Sequence, residues 1–509
     1  MSPRARTRDK DALISGVLSG LLMGLGQFRN KQKGKALFFF TILLIFIGIE
    51  LLTGSYQYYA SEIVSNPPGA NGEFYFFRDY GGMFTRGLWG LFTLGQLVYQ
   101  IPYRGMETRT FHRTIPWLTA DNSVRLLIAG LIALVILSVL IAAWVVNIKD
   151  AYQVRKLMNQ GTYIELKGKA YFKELYDNLL PLLLLIPVIS LVAMFTIIPV
   201  MFSSLLAFTN YTYRIMPPAR LIDWVGFSNF AQVVSDPAWF KIFGSVLLWT
   251  IVFAIMASVT CYALGFLNAI IIESKPIKFK RFWRMILIVP WAVPGMISLM
   301  VFKNAFDTQG LINQILYATN TMQPVSNFLY DIGLQGQPDN PIYWLTQQYN
   351  GNLAKAVVIM VNLWLGAPYF MMLITGTLTT IPKDLYEAAS IDGATGWKKF
   401  KSITLPLVLR GTAPAIVMTF THNFNNFGSI YYLTGGGPNW VYSEVPNTMK
   451  VMGGIPGQTD ILISWIFKLS FTQNAQLYNI AAVYSILIFI FVAVFSVLNL
   501  ARNRAVWED

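Results

Sequence analysis

The sequence predicts an all-α polytopic membrane protein with about eight transmembrane helices. Three observations predict it. Hydrophobic residues make up 55% of the 509 residues and charged residues only 13%, where a soluble domain carries about 25% charged residues. Apolar runs of bilayer-spanning length, about 20 residues, recur along the chain. The basic residues fall in short blocks between those runs. A chain this apolar would expose large patches in water. That excludes a soluble enzyme, a disordered tail and a collagen-like fibre. A disulfide scaffold is excluded as well, because Cys261 is the one cysteine. The net charge of +14 does not point to nucleic acid, since no basic stripe alternates with stacking aromatics.

From the N-terminus, Arg4, Arg6, Arg8 and Lys10 precede a short apolar stretch, Ala12–Gln27. No small-residue cleavage site follows; Arg29, Lys31, Lys33 and Lys35 come instead, so the stretch reads as retained. Ala36–Thr53 is a span apart from Glu50 near its end. Gly87–Pro102 is interrupted by glycines and polar residues, and it reads with Ala12–Gln27 as interfacial or re-entrant. Val124–Val146, Leu179–Ala207, Ile242–Ile272, Met285–Phe302, Ala354–Thr377, Ala413–Leu433 and Ile480–Leu500 complete the spans. Residues 1–178 form an N-terminal membrane extension and 179–509 a six-span core.

Sidedness follows the basic residues. Loop 273–284 holds Lys275, Lys278, Lys280, Arg281 and Arg284, and loop 379–410 holds Lys383, Lys398, Lys399, Lys401 and Arg410. Segment 148–178 and the C-terminal tail, with Arg502 and Arg504, are similarly basic. Segment 304–353 has no Lys or Arg, while 209–240 has only Arg214 and Arg220 and 435–476 only Lys450 and Lys468. The first group is assigned to the cytoplasm and the second to the outside, which places both termini inside. Segment 103–123 counts as external yet carries Arg104, Arg109 and Arg113, so a second topology is open for 1–123. The outer segments 210–240 and 304–352 are rich in Asn, Gln, Pro and Tyr, a composition that suits either ordered loops that receive a partner or plain connecting loops.

Loop 379–410 holds the most specific string. Glu387-Ala388-Ala389 is followed after three residues by Gly393, and after nine more by Ile403-Thr404-Leu405-Pro406. Pro382, Lys383 and Asp384 start a helix on which Leu385, Ala388, Ala389 and Ile391 form a small apolar face. Gly393 and Gly396 are expected to break it. Trp397, Phe400 and Ile403 begin a second amphipathic helix, expected to stop before Pro406. The product is a knob standing off the membrane. The string resembles the EAA loop of ABC-importer permease subunits. In that family the loop docks into a cleft of the ATPase subunit and transmits its closure. The resemblance implies coupling roles for Glu387, Ala388, Ala389, Gly393, Leu405 and Pro406.

This chain has no P-loop of its own, because neither Gly34-Lys35 nor Gly168-Lys169 has the required upstream glycine or a following Ser/Thr. The expectation is a transport subunit rather than an enzyme, with no cofactor of its own and with ATP and Mg used by a separate ATPase chain.

A polar stripe runs through the spans. Thr419, His422, Asn423 and Asn426 are spaced i, i+3, i+4, i+7, and Asn362, Leu365, Gly366 and Tyr369 repeat that spacing. Trp291 and Gly295 lie one turn apart beside Pro290 and Pro294, which kink the helix. Polar side chains in hydrocarbon face a cavity or a neighbouring helix. These supply amides, a phenol, an imidazole and an indole without fixed charge, which suits a neutral sugar: rings stack on it and amides bond its hydroxyls. Interhelical hydrogen bonding is the bland alternative, and it is the reading for Asn425, which lies off the stripe.

Asn362-Leu363-Trp364-Leu365-Gly366-Ala367-Pro368-Tyr369 looks like the sixth-span signature of maltose-type permeases. Asn423-Phe424-Asn425-Asn426-Phe427 with Leu433-Thr434-Gly435-Gly436-Gly437-Pro438 looks like their seventh-span signature. The resemblance covers about 179–509. It implies that Trp291, Gly295, Asn362, Leu365, Gly366, Tyr369, Thr419, His422, Asn423 and Asn426 hold a maltodextrin-like oligosaccharide. It further implies a second homologous permease subunit, two ATP-binding cassette subunits, an extracellular sugar-binding protein and a bacterial cell membrane. Three positions depart from the pattern: Gly295 often has a hydroxyl, Trp291 a tyrosine and His422 an aromatic. The competing class is an ion-coupled secondary sugar transporter. It needs an intramembrane carboxylate or a broken-helix ion site, and the spans from Ile242 onward contain no Asp or Glu.

Overall fold

The computed structural model describes residues 3–54, 81–95, 122–163, 184–217, 220–274, 277–347, 350–439, 454–472 and 476–507. Residues 103–121, with Arg104, Arg109 and Arg113, and 164–178, with Lys167, Lys169 and Lys173, lie outside them, as do Lys275 and Lys450. The described residues are helical, and their only β-contacts are the isolated bridges Thr209–Trp224 and Thr212–Ile215. By contact the chain divides into residues 1–226 and 227–509.

The first unit comprises α1 (Pro3–Leu21), α2 (Leu25–Arg29), α3 (Lys33–Thr53), α4 (Met83–Phe92), α5 (Ser123–Gln160) and α6 (Leu184–Leu206). Of these, α3, α5 and α6 are long and apolar enough to span a bilayer. Asn122 caps α5 by accepting from the amides of Val124 and Arg125, and Gly161 ends it at φ +76°. The segment Ala12–Gln27 is not one apolar helix. It is α1, a turn at Gly24 and α2, fixed to α5 by buried polar bonds. Ser15 Oγ donates to Asn30 Oδ1 (3.0 Å), which joins α1 to the end of α2, and Asn30 Nδ2 donates to the Ala151 carbonyl of α5 (2.9 Å). Gln27 Nε2 donates to the Asn147 carbonyl (2.9 Å) and Asn147 Nδ2 to the Ser19 carbonyl (3.0 Å). Glu50, the polar residue near the end of the α3 span, has a structural role. Its carboxylate accepts from the amides of Gly82 (3.0 Å) and Phe84 (2.8 Å) and from Thr85 Oγ1, so it caps the N-terminus of α4.

The second unit comprises α7 (Ser228–Ser235), α8 (Pro237–Glu273), α9 (Lys280–Ala292), α10 (Gly295–Ala305), α11 (Leu311–Ala318), α12 (Met322–Asp331), α13 (Asn352–Thr380), α14 (Lys383–Ile391), α15 (Gly396–Phe424), α16 (Phe427–Leu433), α17 (Leu462–Phe471) and α18 (Tyr478–Trp507). Pro237 opens α8 beside the Asp236 cap, whose Oδ1 accepts from the Ala238 amide at 2.9 Å. The core is the α8–α13 pair, with Phe253, Ala257, Val358 and Val361 in one buried cluster and Phe266, Phe370, Met371 and Ile374 in another. A Cβ on Gly265 would come within 2.5 Å of Phe370 Cβ and 2.8 Å of the Ala367 carbonyl, so the two backbones approach closely there. At one end, Trp465 and Tyr484 pack with ring centroids 4.7 Å apart and Trp239 joins them at 6.3–6.4 Å.

Three expectations are corrected. The run Met285–Phe302 is not one kinked helix, because α9 and α10 meet at 87°. Val293 precedes Pro294, whose ring disfavours helical backbone at the residue before it, and Val293 is extended at φ −85°, ψ 135°. The run Ala413–Leu433 also breaks. Asn425 ends α15, and Asn426 caps α16 by accepting from the Ser429 amide at 3.1 Å. Finally, the second helix of loop 379–410 does not stop before Pro406. It continues through a π-helical turn at Phe400–Thr404 into the rest of α15, where Pro406 falls in the first turn after the π segment and needs no amide donor.

Candidate sugar cavity and coupling knob

The second unit encloses a cavity of about 580 Å³. Six elements wall it, α8 through Cys261 alone. The α9–α10 corner contributes Pro290, Trp291, Val293, Gly295 and Met296; α13 contributes Asn362, Leu365, Gly366, Tyr369 and Phe370; α15 and α16 close it. All ten residues that the sequence singles out line this one cavity, although the run carrying Asn426 is broken and the run carrying Trp291 turns a corner. Asn425 does not line it; its Nδ2 donates to the Thr421 carbonyl at 3.3 Å.

The lining falls into two chemical groups. The first is a hydrogen-bonded amide network. Asn362 Oδ1 accepts from Asn426 Nδ2 (3.1 Å) and Ser429 Oγ (3.3 Å). Asn362 Nδ2 donates to Asn423 Oδ1 (3.5 Å), and Asn423 Nδ2 donates to Ser258 Oγ (3.0 Å). Asn362 and Asn423 are 7% and 2% exposed, so much of their bonding capacity ties α8, α13, α15 and α16 together. The second group presents rings and open space. Trp291 is 60% exposed and tilts 40° against Tyr369 at a centroid distance of 6.1 Å. A Cβ built on Gly295 meets nothing within 4 Å. No Asp, Glu, Lys or Arg is among the lining residues. Such a wall offers faces for stacking and neutral donors and acceptors, with no charge to select an acidic or basic ligand.

Sequence reasoning missed Met418, Ser429 and Tyr432, which also line the cavity. Continuing the three-to-four-residue step beyond Asn426 would have reached Ser429. Cys261 reaches the wall through α8, with its Sγ 3.5 Å from the Asn362 carbonyl.

The knob of loop 379–410 is built by α14 and the start of α15. Gly393, at φ +73°, ends α14 with paired bonds: its amide reaches the Ser390 carbonyl (3.1 Å), and the Ala394 amide reaches that of Ala389 (2.9 Å). Gly396 does not break a helix; it opens α15, with Thr395 as cap. Tyr386 and Thr404 share a hydroxyl hydrogen bond at 2.9 Å, and Phe400 packs edge-on to Phe266 at 5.8 Å, which joins the knob to α8. Its outer side is open. Glu387, Ala388 and Gly393 are exposed, Ala389 is half-buried, and Ile391 is 88% exposed. Leu405 and Pro406 are half-buried at the base.

The segment after α16 is clasped to the start of α17. Thr434 and Thr459 share a hydroxyl bond at 2.8 Å, and the Gln458 amide donates to the Pro438 carbonyl at 2.8 Å. Asp460 is buried there, with Lys468 Nζ 2.6 Å away. Burial pushes its carboxyl above the usual range, and Lys468, the Gly457 amide and Ser464 pull it back.

A family profile described as "Binding-protein-dependent transport system inner membrane component" matches residues 263–506. The galactooligosaccharides transport system permease protein GanP of Bacillus subtilis is 34% identical over 498 residues, 97% of this chain and 98% of that protein. The maltodextrin transport system permease protein MalC of Streptococcus pneumoniae is 35% identical over 500 residues, 98% of this chain and 97% of that protein. The maltose/maltodextrin permease protein MalF of Salmonella typhimurium is 35% identical over 282 residues, 55% of this chain and 49% of that protein. Similarity to the first two therefore runs through the N-terminal unit as well as the cavity. With its several bilayer-length helices, the chain belongs to the inner-membrane permease subunits of binding-protein-dependent sugar ABC importers.

Proposed function

We propose that this permease carries a neutral oligosaccharide of the maltodextrin class, received from an extracellular binding protein and released inward as partner ATPases close on the knob of loop 379–410. The observation that carries this reading is the gathering of Trp291, Gly295, Asn362, Leu365, Gly366, Tyr369, Thr419, His422, Asn423 and Asn426 around one uncharged cavity. Its volume of about 580 Å³ lies in the range of small-ligand sites, about 300–1,000 Å³. Trp291 and Tyr369 serve as stacking faces, Thr419, His422 and Tyr432 as bonding groups, and the amide network as the frame that places them.

The knob supports the coupling role, because it is joined to α8 on its inner side and offers exposed apolar groups outward. Glu387, Ala388, Ala389 and Gly393 form its docking face, and Leu405 and Pro406 its base. The complete importer in this reading has a second homologous permease, two ATP-binding cassette subunits and a binding protein. Residues 179–509 supply the six-span core, 1–178 form the extension, and both termini face the bacterial cytoplasm.

Galactooligosaccharides are the second reading, favoured by the similarity to GanP over nearly the whole chain. Uptake of labelled maltotriose and galactotriose by cells lacking their own importers, but expressing this chain with its neighbouring subunits, separates the two. Maltotriose uptake that galactotriose fails to compete supports the first reading. Uptake of galactotriose alone replaces it with the second, and uptake of neither removes both.

A further inference from the structure

The first unit holds a cavity of a different character. It is a hollow of about 390 Å³ between the Leu22–Leu25 turn, Phe28 of α2 and the first two turns of α3. Gly24 forms its closest approach: at φ +90°, a Cβ there would come within 2.4 Å of the Ala36 carbonyl. The walls are apolar, and Lys33 is the one ionisable residue among those that line it.

Three observations give this hollow a ligand. The first is depth. Lys33 is the first residue of the spanning helix α3, and Leu37 and Phe40 follow. At 1.5 Å per residue they lie about 6 and about 10 Å farther along the axis. A cation therefore stands at the end of the span, with apolar wall running into it.

The second is charge. Arg29, Lys31, Lys33 and Lys35 crowd this turn. Arg29 is paired with Asp11 at 2.7 Å and Lys35 with Asp150 at 2.9 Å. Lys31 and Lys33 are exposed and, among the described residues, form no ion pair. The third is the wall itself. Phe28 and Leu37 are 62% and 67% exposed, so the hollow opens sideways, as an acyl chain entering from the bilayer requires.

We propose that this hollow is a binding site for an anionic phospholipid, with an acyl chain along Phe28, Leu37 and Phe40 and the phosphodiester held by Lys31 and Lys33. Basic residues next to a membrane-spanning helix attract anionic headgroups. The hollow adds a fixed seat for the chain, so the interaction is saturable and specific to a lipid rather than to a free anion.

The test uses the full-length protein in octaethylene glycol monododecyl ether, a detergent without a sugar headgroup. Thermal unfolding and native mass spectrometry follow titration with dioleoylphosphatidylglycerol, dioleoylphosphatidylcholine or the soluble headgroup glycerophosphoglycerol. Phosphatidylglycerol should raise the unfolding midpoint saturably and remain on the protein, and the other two should not. The double substitution Lys31→Gln/Lys33→Gln should weaken apparent affinity about 30-fold, from two cations of ordinary interfacial strength. Lys33→Arg should retain binding, and the equal charge change Lys149→Gln/Lys156→Gln on α5 should leave it intact. Equal responses to phosphatidylglycerol and phosphatidylcholine, an equal loss in the α5 control, or full reproduction by glycerophosphoglycerol would each overturn the proposal.

Discussion

Asn426 Nδ2 donates to Asn362 Oδ1 at 3.1 Å, from the residue just beyond the break between α15 and α16 to the middle of α13. Ser429 Oγ reaches the same oxygen at 3.3 Å. One carbonyl thus anchors the helix break that opens the cavity. Replacing Asn362 with leucine strands both donors, and a buried unsatisfied group costs about 1–3 kcal/mol. The variant should unfold several degrees lower in detergent and lose sugar uptake. An unchanged midpoint would show that the amide is not the anchor.

Trp291 acts differently, because it is largely exposed and fills no core. Trp291→Ala should alter stability by no more than about 0.5 kcal/mol while raising the half-saturating sugar concentration tenfold or more. Gly295→Leu extends a side chain into open cavity and should slow longer sugars before shorter ones. Uptake kinetics identical to the parent for both variants would remove this wall from the sugar path.

Gly393 holds a left-handed conformation at φ +73° although its surroundings are open, so backbone strain rather than crowding decides its substitutions. Gly393→Val should strain the turn by about 1–2 kcal/mol and uncouple ATP hydrolysis from uptake, with membrane insertion intact. Gly393→Asn should be milder, since Asn tolerates this region. Equal uptake by all three proteins would refute a coupling role for the turn.

Asp460 has a fully buried side chain, and Lys468 is its counter-ion. Lys468→Met leaves that carboxylate unpaired and should cost about 3–5 kcal/mol. Adding Asp460→Asn should recover much of the loss. Equal stability of the single and double variants, measured by thermal unfolding, would show that the pair does not hold the clasp.

Asp11 ties α1 to the rest of the first unit through Arg155 (2.6 Å) and Arg29 (2.7 Å). The hydrogen bond from Arg155 lowers its carboxyl below the ordinary 3.8, burial opposes this, and the two positive charges add to the lowering. A lowered carboxyl stabilises the fold above its unfolded value and loses that effect as pH falls through the folded one. At this exposure the pairs are worth about 0.2–1 kcal/mol each. Asp11→Asn should therefore unfold earlier than the parent at pH 6, with the gap closing as pH falls below the ordinary 3.8 and through the lowered folded value. A gap that persists at low pH would assign the effect to packing.

The spans were legible because hydrocarbon demands long apolar runs, and Lys33–Thr53, Pro237–Glu273 and Asn352–Thr380 follow theirs closely. The cavity lining was legible because polar residues at helical spacing in such runs are few. The breaks were not. Met285–Phe302 and Ala413–Leu433 are each continuous in hydropathy, and their interruptions rest on Val293 before Pro294 and on the cap made by Asn426, which are local backbone events. The division of labour within the stripe was hidden too. That Asn362 and Asn423 bond to neighbours while Trp291 stays open depends on which helices meet, and spacing on one helix cannot report it. In the first unit, Ser15, Ser19, Gln27 and Asn147 are polar residues in or beside apolar runs, yet Ser15 and Ser19 bond α1 to Asn30 and Gln27, and Asn147 ties Gln27 and Ser19 to α5.

The most direct test is sugar accumulation in proteoliposomes, comparing the chain reconstituted with its ATPase and permease partners, the binding protein and ATP with the chain alone under a proton or sodium gradient. Accumulation of labelled maltotriose only in the complete, ATP-supplied system, abolished by Gly393→Val, is the predicted result. Accumulation by the chain alone on an ion gradient would contradict an ATP-driven permease outright.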